Sequence, residues 1–533
     1  MKTAASVRSA FREYFDLTVG LRRYLRGPAP GPGAVRRIRE QLERREQRWL
    51  ELVRRSVFDR RGHPYRRLFE RAGCEFGDLE NAVRAKGLEG ALSALYDEGV
   101  YLTEDEFRGR APIRRRGLEI ESRPELFRNP CVRRGVLQRS SGTTGRPAVA
   151  VSAAARDWHL EIYRLLEAQE FELERCARLL VRPILPSVIG LVSSMSFARM
   201  GLPAHGWFGY GGSLRRAWHY RILTRWLVGF VRLHGLSVPS PKYLPPGDFT
   251  PVARWLGGRL RRGERCYVGC FVSPAVRTAA AAAEEGTDLS GTMFFAGGEE
   301  LTPARREAIE ASGAEVYSRY WIGEVGPIGF PCRRQRGTAR LHVLSDSVAV
   351  LVEPKTVRGL SRPVPALWFT TLLPMSSFIL INAEMGDAGE ISRSRCDCTY
   401  ARLGFEWEIS GIRSYSKLTG QGMTVFASDV VRILERTLPQ RFGGTAGDYQ
   451  LIEGCDRGAG LELRVRPGVT AAPAEAISEC FLGELRRCYG GALSTEVWRH
   501  SGALRVTAAD PLVGPTGKVL PLHLLGGFGG EVR

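Results

Sequence analysis

A short turn rich in hydroxyl groups, glycines and positive charge is the segment of this chain best suited to chemistry. It runs from Ser140 to Pro147 and reads SSGTTGRP. Glycines let a backbone approach an anion closely and expose its N–H groups, while hydroxyls and a guanidinium add further donors. These residue types together favour the binding of a polyphosphate. Surface turns share this composition, so the segment taken alone leaves an ordinary loop as the alternative.

Further motifs with chemical potential follow this turn at long intervals. They are the run Gly297-Gly298-Glu299, the pair Tyr320 and Glu324, the acid Asp387, and the cations Arg413 and Lys518. Two glycines directly after an apolar strand allow a flat ligand to lie against bare backbone. Arginine supplies 71 of the 77 basic residues, so a lysine is an uncommon choice in this chain and its position carries information.

A second set of residues has the chemistry of a metal site. It consists of Cys332, His342, Cys396 and Cys398. Thiolates and an imidazole are the ligands that closed tetrahedral zinc sites use. The spacing alone favours the alternative that these cysteines are small buried side chains, which is the usual role of isolated cysteines.

Length and composition indicate the class of protein that must position these residues. A chain of 533 residues exceeds a single core and predicts two or three domains, and 44% apolar with 25% charged residues is typical of a soluble protein. The N-terminus lacks the apolar run of a signal peptide, and the longest apolar stretch, 226–236, is too short to span a bilayer. Eleven scattered cysteines do not resemble a secreted disulfide framework. We therefore expect a cytoplasmic protein with reduced thiols and no membrane partner.

The net charge of +20 bears on possible partners. A positive field attracts phosphate backbones irrespective of sequence, so nucleic-acid binding stays an alternative. No basic helix accompanies a known reading module, and no run interleaves aromatic residues with arginine. The arginines are also spread over the whole chain, which favours a compositional bias over a nucleic-acid-binding surface.

The elements expected around the motifs form an α/β protein. A helical N-terminal region includes a stripe over 34–57, and strands alternate with helices from about 130 to 385, which predicts an α/β core with mixed sheets. After about 412 the pattern restarts as a small α+β domain. We therefore predict a large domain at 1–411 and a small C-terminal domain at 412–533. The specific elements expected are strands near 294–296, 316–317, 366–372, 376–382, 448–453, 460–466 and 494–498, and helices near 303–312, 428–437 and 472–488.

In their order and types, the motifs resemble those of the acyl-adenylating (AMP-forming) ligase superfamily, and more narrowly its phenylacetate–CoA ligase-like branch. The resemblance runs from roughly residue 60 to 520. It implies ATP-dependent activation of a carboxylic acid as acyl-AMP, followed by transfer to coenzyme A, with a mobile C-terminal domain. The branch has a similar Cys and His pattern, which implies a structural Zn²⁺ held by Cys332, His342, Cys396 and Cys398.

The resemblance also implies a role for each matching residue. Ser140, Ser141, Gly142, Thr143, Thr144, Gly145 and Arg146 would hold the β- and γ-phosphates of ATP. Gly297, Gly298 and Tyr320 would bracket adenine, with Glu299 completing that motif. Glu324 would ligate Mg²⁺, Asp387 would accept hydrogen bonds from the ribose, and Arg413 would reach the same nucleotide. Lys518 would lie between the substrate carboxylate and the α-phosphate, and it is the expected catalytic residue together with Glu324.

This chain departs from the superfamily pattern at several positions. Arg146 stands where lysine is usual, Trp321 replaces a glycine, and Gly323 replaces a serine or threonine. The hinge motif has Ile412 inside its usual Gly-Arg pair, and Tyr415-Ser416 replaces an acidic pair. An altered hinge favours an unusual acceptor, so a carrier-protein thiol or an amine stays open beside coenzyme A, as does a catalytically silent relative.

The sequence specifies the carboxylic acid substrate and the oligomeric state of the protein less closely. Aryl and acyl acids are both compatible with the sequence. The residues Met195, Phe197, Trp207, Phe208 and Tyr210 fit either the walls of an acid pocket or the protein core. A homodimer stays open.

Overall fold

The computed structural model of the chain describes a defined set of residues. These are 21–22, 24–27, 29, 31, 33–132, 136–139, 149–152, 154–185, 187–210, 218–245, 248–357, 363–415, 417–420, 423–455, 460–487, 495, 504–513 and 519–524. The hydroxyl-rich turn at 140–147 and Lys518 lie outside these residues, so their predicted roles stay predictions.

The helices begin in the N-terminal region, where the apolar stripe predicts them. The described α-helices are α1 (Ala34–Glu43), α2 (Arg45–Val53), α3 (Pro64–Arg71), α4 (Phe76–Asp97), α5 (Glu104–Phe107), α6 (Ala154–Glu170), α7 (Ile189–Arg199), α8 (Trp218–Leu233), α9 (Thr250–Leu260), α10 (Val272–Glu284), α11 (Pro303–Glu310), α12 (Thr399–Leu403), α13 (Ala427–Arg432), α14 (Leu438–Phe442) and α15 (Ala474–Arg487). The stripe at 34–57 becomes two helices and a π-helical turn, and it buries Ile38, Trp49 and Val53. Among the described residues, no helix combines the length and apolar character that a bilayer span requires.

The strands form one large sheet and several small ones. They are β1 (Ile113–Arg115), β2 (Leu118–Ile120), β3 (Val136–Arg139), β4 (Val149–Ser152), β5 (Cys176–Pro183), β6 (Gly206–Tyr210), β7 (Pro241–Tyr243), β8 (Arg265–Cys270), β9 (Thr292–Gly297), β10 (Glu315–Ile322), β11 (Gly326–Phe330), β12 (Leu341–Val343), β13 (Val348–Lys355), β14 (Val364–Thr371), β15 (Ala383–Arg393), β16 (Trp407–Ser414), β17 (Lys417–Gly420), β18 (Met423–Phe426), β19 (Tyr449–Cys455), β20 (Gly460–Val465), β21 (Leu504–Ala508) and β22 (Leu522–Leu524). The α/β class predicted from the sequence is confirmed.

The large sheet has a parallel half and an antiparallel half. Its order is β13-β14-β15-β16-β12-β11-β10-β9-β8-β5-β6-β7, with parallel pairing from β10 to β7 and antiparallel pairing from β10 to β13. Helices cover both faces of the parallel half, as burial of near-continuous apolar strands requires. One face packs α9, α10 and α11 against residues such as Val268, and the other packs α7 and α8 against residues such as Tyr267.

Strand β10 joins the two halves and changes partner within its length. Arg319 pairs in parallel with Gly297 of β9, and the next residue, Tyr320, pairs antiparallel with Gly329 of β11. The antiparallel register shifts between Tyr320 and Trp321, which marks a bulge. Bulges redirect side chains and are frequent beside functional sites. The bulge therefore places Tyr320 at the junction of the two halves.

One predicted strand is wrong. The apolar run 376–382 is an irregular buried segment, and the strand that follows β14 is β15. Side chains replace the expected ladder, because Ile381 N–H donates to the Tyr65 hydroxyl and Leu380 N–H donates to Thr371 Oγ1. The run is apolar because it packs in the core beside the N-terminal helices. These contacts override its strand-like composition.

The C-terminal part has a sheet and core of its own. The four-stranded sheet has the order β21-β20-β19-β22, and α13 to α15 pack on it around residues such as Leu434, Leu463 and Phe481. The expected elements near 428–437, 448–453, 460–466 and 472–488 are present, whereas 494–498 lies outside the described residues except for Thr495. Strand β16 crosses the boundary predicted between 411 and 412, so the domain division stays a prediction.

Candidate functional site

The carboxyl ends of the parallel strands converge on the predicted glycine motif. Ligands of open α/β sheets bind at this edge. Strand β9 ends at Gly297, and Gly298 follows with φ of 77°, a left-handed conformation that glycine adopts without steric cost. Among the described residues, a Cβ atom added to Gly297 would approach only Arg319, at 3.6 Å or more, so these residues leave the backbone there open to a flat ligand.

Tyr320 and Asp387 meet beside this edge. The Tyr320 hydroxyl donates a 2.6 Å hydrogen bond to Asp387 Oδ2, although they lie far apart in sequence. Burial raises the pKa of the Asp387 carboxyl to about 6, and the Tyr320 hydrogen bond lowers it in part. Arg413 lies on the neighbouring strand β16, opposite Ala388, and is exposed. The structure thus brings three of the predicted nucleotide-binding residues to one region.

Glu299 has a role that its motif did not predict. Its side chain is fully buried and accepts hydrogen bonds from Ser273 N–H at 2.7 Å and from Ser273 Oγ at 2.6 Å. It also pairs with Arg305 at 3.3 Å and accepts a 3.2 Å bond from the backbone N–H of Val519. Because these partners occupy the carboxylate, Glu299 links the sheet edge to the C-terminal segment. Val519 is the residue that follows Lys518 in the sequence.

Ser273 and Arg305 are site residues that the sequence did not reveal. Ser273 lies at the start of α10 and also donates a 3.0 Å bond to the Val519 carbonyl. Arg305, in the first turn of α11, donates a 2.6 Å bond to Glu435 of the C-terminal part. A serine after a strand would have been the only signal for the first residue, and nothing in the local sequence marks the second.

Glu324 lies in the tight turn between β10 and β11 and is 4% exposed. Its carboxylate is 3.6 Å from the Arg108 guanidinium and accepts no hydrogen bond from the residues that the structure describes. A buried carboxylate with open lone pairs is suited to a hard cation such as Mg²⁺. Arg108 is a further neighbour that the sequence did not indicate.

The four predicted metal ligands lie together in one cluster. Their ligand atoms all lie within 4.8 Å of one another, at Cys332, His342, Cys396 and Cys398. The Sγ atoms of Cys332 and Cys396 are 3.7 Å apart, close to the edge of about 3.8 Å that Zn–S bonds of about 2.3 Å give in a tetrahedron. Cys398 Sγ is 3.1 Å from His342 Nε2. The arrangement can hold a metal ion.

The electrostatics of this cluster favour a thiolate. A hydrogen bond from the Cys332 thiol, together with the His342 side chain, lowers the pKa of Cys398 well below its ordinary value. Cys332 and His342 are fully buried, and the His342 ring stacks on Tyr400 at a centroid distance of 5.6 Å. The cluster joins the segment after β11 and strand β12 to the segment after β15.

The aromatic residues considered as walls of an acid pocket do not share one surface. Met195, Phe197 and Trp207 are buried on the face covered by α7 and α8, whereas Phe208 and Tyr210 pack toward the opposite face. As a set they are core residues on both sides of the sheet.

Comparisons with known proteins complete the description. No family model and no curated protein matches the sequence. The structure is similar to an anthranilate–CoA ligase in complex with anthranoyl-AMP, at 12% identity and a TM-score of 0.39 over 75% of this chain and 67% of that one. It is also similar to an amide bond synthetase from Marinactinospora thermotolerans, at 13% identity and a TM-score of 0.38 over 91% and 97% of the two chains. An acyl-CoA synthetase from Brucella canis gives 15% identity and a TM-score of 0.36 over 72% and 62%.

Proposed function

We propose that this protein activates a carboxylic acid with ATP to form an acyl-AMP and transfers the acyl group to coenzyme A, as the phenylacetate–CoA ligase-like branch does. The observation that carries the proposal is the meeting of the Gly297-Gly298 edge with the Tyr320–Asp387 pair. The bare glycines give adenine a flat surface, and Asp387 offers the acceptor that ribose hydroxyls require. The glycines, Tyr320 and Asp387 lie on or beside three different strands, β9, β10 and β15.

The chemistry assigns a role to each charged group. An oxygen of the substrate carboxylate attacks the α-phosphorus of ATP, the bond from that phosphorus to the bridging oxygen breaks, and pyrophosphate leaves. Two anions must meet, so catalysis depends on neutralising their charge. We assign this task to the ammonium group of Lys518. Its neighbour Val519 is bonded to Glu299 and Ser273 at the same sheet edge, which supports the assignment.

Two metal ions complete the proposal. Mg²⁺, held by the buried Glu324, would neutralise phosphate charge. The hydroxyl-rich turn from Ser140 to Arg146 would hold the outer phosphates. Zn²⁺ at the four-residue cluster would be structural, because four protein ligands fill a tetrahedral shell and leave no position for substrate.

The acceptor follows from the same acyl-AMP. A thiol of coenzyme A attacks the acyl carbon and AMP leaves. A carrier-protein thiol or an amine would attack in the same way, and these remain the alternative acceptors. Competition among the three acceptors for a preformed acyl-AMP would identify the one that is used.

The test is acid-dependent exchange of labelled pyrophosphate into ATP, run over a panel of aryl and fatty acids. We expect exchange with at least one acid, and loss of exchange in Lys518→Ala with MgATP binding largely retained. Lys242→Ala is the matched control, because it removes one exposed lysine on the edge strand β7. Unchanged turnover in Lys518→Ala would disprove the assignment, and failure of MgATP to bind the wild type would disprove the function.

A further inference from the structure

Arg182 is a buried cation at the carboxyl end of β5, in the middle of the parallel half of the sheet. It is 7% exposed. Within the described part of the chain its guanidinium has neither a hydrogen-bond partner nor an acidic residue in ion-pair range, and its Nε is buried without a partner. Its Cζ lies 4.7 Å from the centroid of the Phe271 ring. Burying a charge without a counter-ion is costly, so Arg182 is suited to pair with an anionic ligand.

Two other arginines of the same sheet, in contrast, have guanidinium groups with hydrogen-bond or ion-pair partners. Arg178, four residues earlier on β5 and 6% exposed, donates to the carbonyls of Leu173 at 2.7 Å and Cys176 at 3.0 Å. Arg319 on β10 is ion-paired with Glu167 and donates a 2.9 Å bond to Tyr267. Arg182 differs from both because the described residues supply it with no acceptor.

The surroundings of Arg182 carry a second unpaired polar group. The hydroxyl of Tyr210, at the end of the adjacent strand β6, is buried and has no hydrogen-bond partner among the described residues. Arg182 pairs in register with Gly209, the residue before Tyr210. Burial lowers the pKa of Arg182, and interaction with the Tyr210 hydroxyl opposes that effect. The register places Tyr210 on the opposite face of the sheet from Arg182, so its hydroxyl does not share one anion with the guanidinium.

The position of Arg182 separates it from the proposed nucleotide site. In the sheet, β8 lies between β5 and β9, so Arg182 is two strand spacings, about 10 Å, from the row of Gly297. Phe271 follows the end of β8 and lies in between. The residues proposed to bind the nucleotide lie on the other side of β8 from Arg182, on β9, β10 and β15. An anion at Arg182 would lie on the side of the Gly297 edge away from Tyr320 and Asp387.

We propose that the acid substrate of this protein is a dicarboxylic acid, whose second carboxylate pairs with Arg182 while its first is activated beside Gly297. The inference rests on the proposed function. It narrows the substrate from carboxylic acids in general to acids with a second anionic group at the far end.

The experiment compares dicarboxylic acids with their mono-amides in pyrophosphate exchange. The probes are succinate, adipate, suberate and terephthalate, each against its own mono-amide, with wild type and Arg182→Met. A charge-assisted pair predicts that the wild type prefers at least one diacid by about 10- to 100-fold in kcat/KM. Arg182→Met should lose that preference and keep its KM for ATP. No preference in the wild type, or an unchanged preference in the variant, overturns the proposal. A raised KM for ATP in place of the lost preference would assign Arg182 to a phosphate, which also overturns it.

Thermal unfolding gives a second readout that needs no turnover. Without ligand, Arg182→Met should melt at or above the wild-type temperature, because it removes an uncompensated charge, whereas Arg178→Met should melt several degrees lower. Suberate should stabilise the wild type more than its mono-amide does, and it should not stabilise Arg182→Met. A large loss of stability in unliganded Arg182→Met would overturn the proposal, since it would identify a structural cation. Diacid stabilisation without any exchange would refute the adenylation chemistry and leave the anion site standing.

Discussion

Tyr320 and Asp387 share a 2.6 Å hydrogen bond even though three strands separate their own strands in the sheet. Strands β11, β12 and β16 lie between β10 and β15, so a flat sheet would hold the two side chains several strand spacings apart. Their contact shows that the antiparallel half curls over itself. The pair closes one side of the proposed nucleotide site.

Affinity for MgATP should depend on the charge of Asp387. Its pKa is raised to about 6, so the carboxylate is charged above that pH and protonated below it. Because a carboxylate accepts ribose hydrogen bonds better than a carboxylic acid does, affinity should fall as the pH drops through 6. Calorimetric titration between pH 5 and about 8 measures the effect. Asp387→Asn should bind more weakly at neutral pH and show no such step, and an identical step in that variant would exclude Asp387 as its source.

Removing the Tyr320 hydroxyl should shift the pH at which MgATP affinity falls to a higher value. The Tyr320 hydrogen bond lowers the pKa of Asp387, so Tyr320→Phe should raise it. The midpoint of the affinity change would then lie above that of the wild type, with a loss of a few-fold in affinity at neutral pH. The same calorimetric series tests this prediction. A midpoint that stays or falls would show that the hydrogen bond does not control the carboxyl.

Purified protein should contain about one zinc ion per chain. Cys398→Ser removes one ligand from the cluster and should cause loss of the metal and a clearly lower melting temperature. Cys74→Ser is the matched control, because Cys74 is a half-buried free cysteine outside the cluster. Elemental analysis and thermal unfolding measure both effects. Absence of metal from wild-type protein prepared with zinc in the medium would contradict the assignment.

The buried ion pair between Arg305 and Glu435 should contribute strongly to stability. Both side chains are at most 2% exposed, and the pair connects α11 to the C-terminal part. Glu435→Gln leaves a buried guanidinium partly uncompensated, at an expected cost of about 3–5 kcal/mol in the free energy of unfolding. Glu285→Gln breaks the exposed pair with Arg254 and should change stability little. Chemical denaturation compares the two variants, and equal effects would refute the expected dependence on burial.

The sequence predicts those parts of the candidate site whose residue types and local order indicate a ligand. The Gly297-Gly298 pair follows an apolar strand, and the Cys and His residues have ligand chemistry, so both could be identified from residue type and order. Ser273, Arg305 and Arg108 could not, because their roles depend on partners that the fold brings from distant elements. The run 376–382 has a strand-like composition, but its backbone N–H groups donate to the hydroxyls of Tyr65 and Thr371 in place of a strand partner.

The same limit explains Arg182. Arginine makes up nearly all of the basic residues in this chain, so no single arginine is conspicuous by its type. What distinguishes Arg182 is the lack of an acceptor around it among the described residues, and only the packed structure shows this.

The change of partner within β10 has a mechanical consequence. Arg319 and Tyr320 share one peptide link, yet the first is fixed to the parallel strands and the second to the antiparallel strands. Any rotation of one half of the sheet against the other must therefore be absorbed at that link. A nucleotide held against Tyr320 would resist such twisting, so its arrival and departure should stiffen and relax the whole sheet.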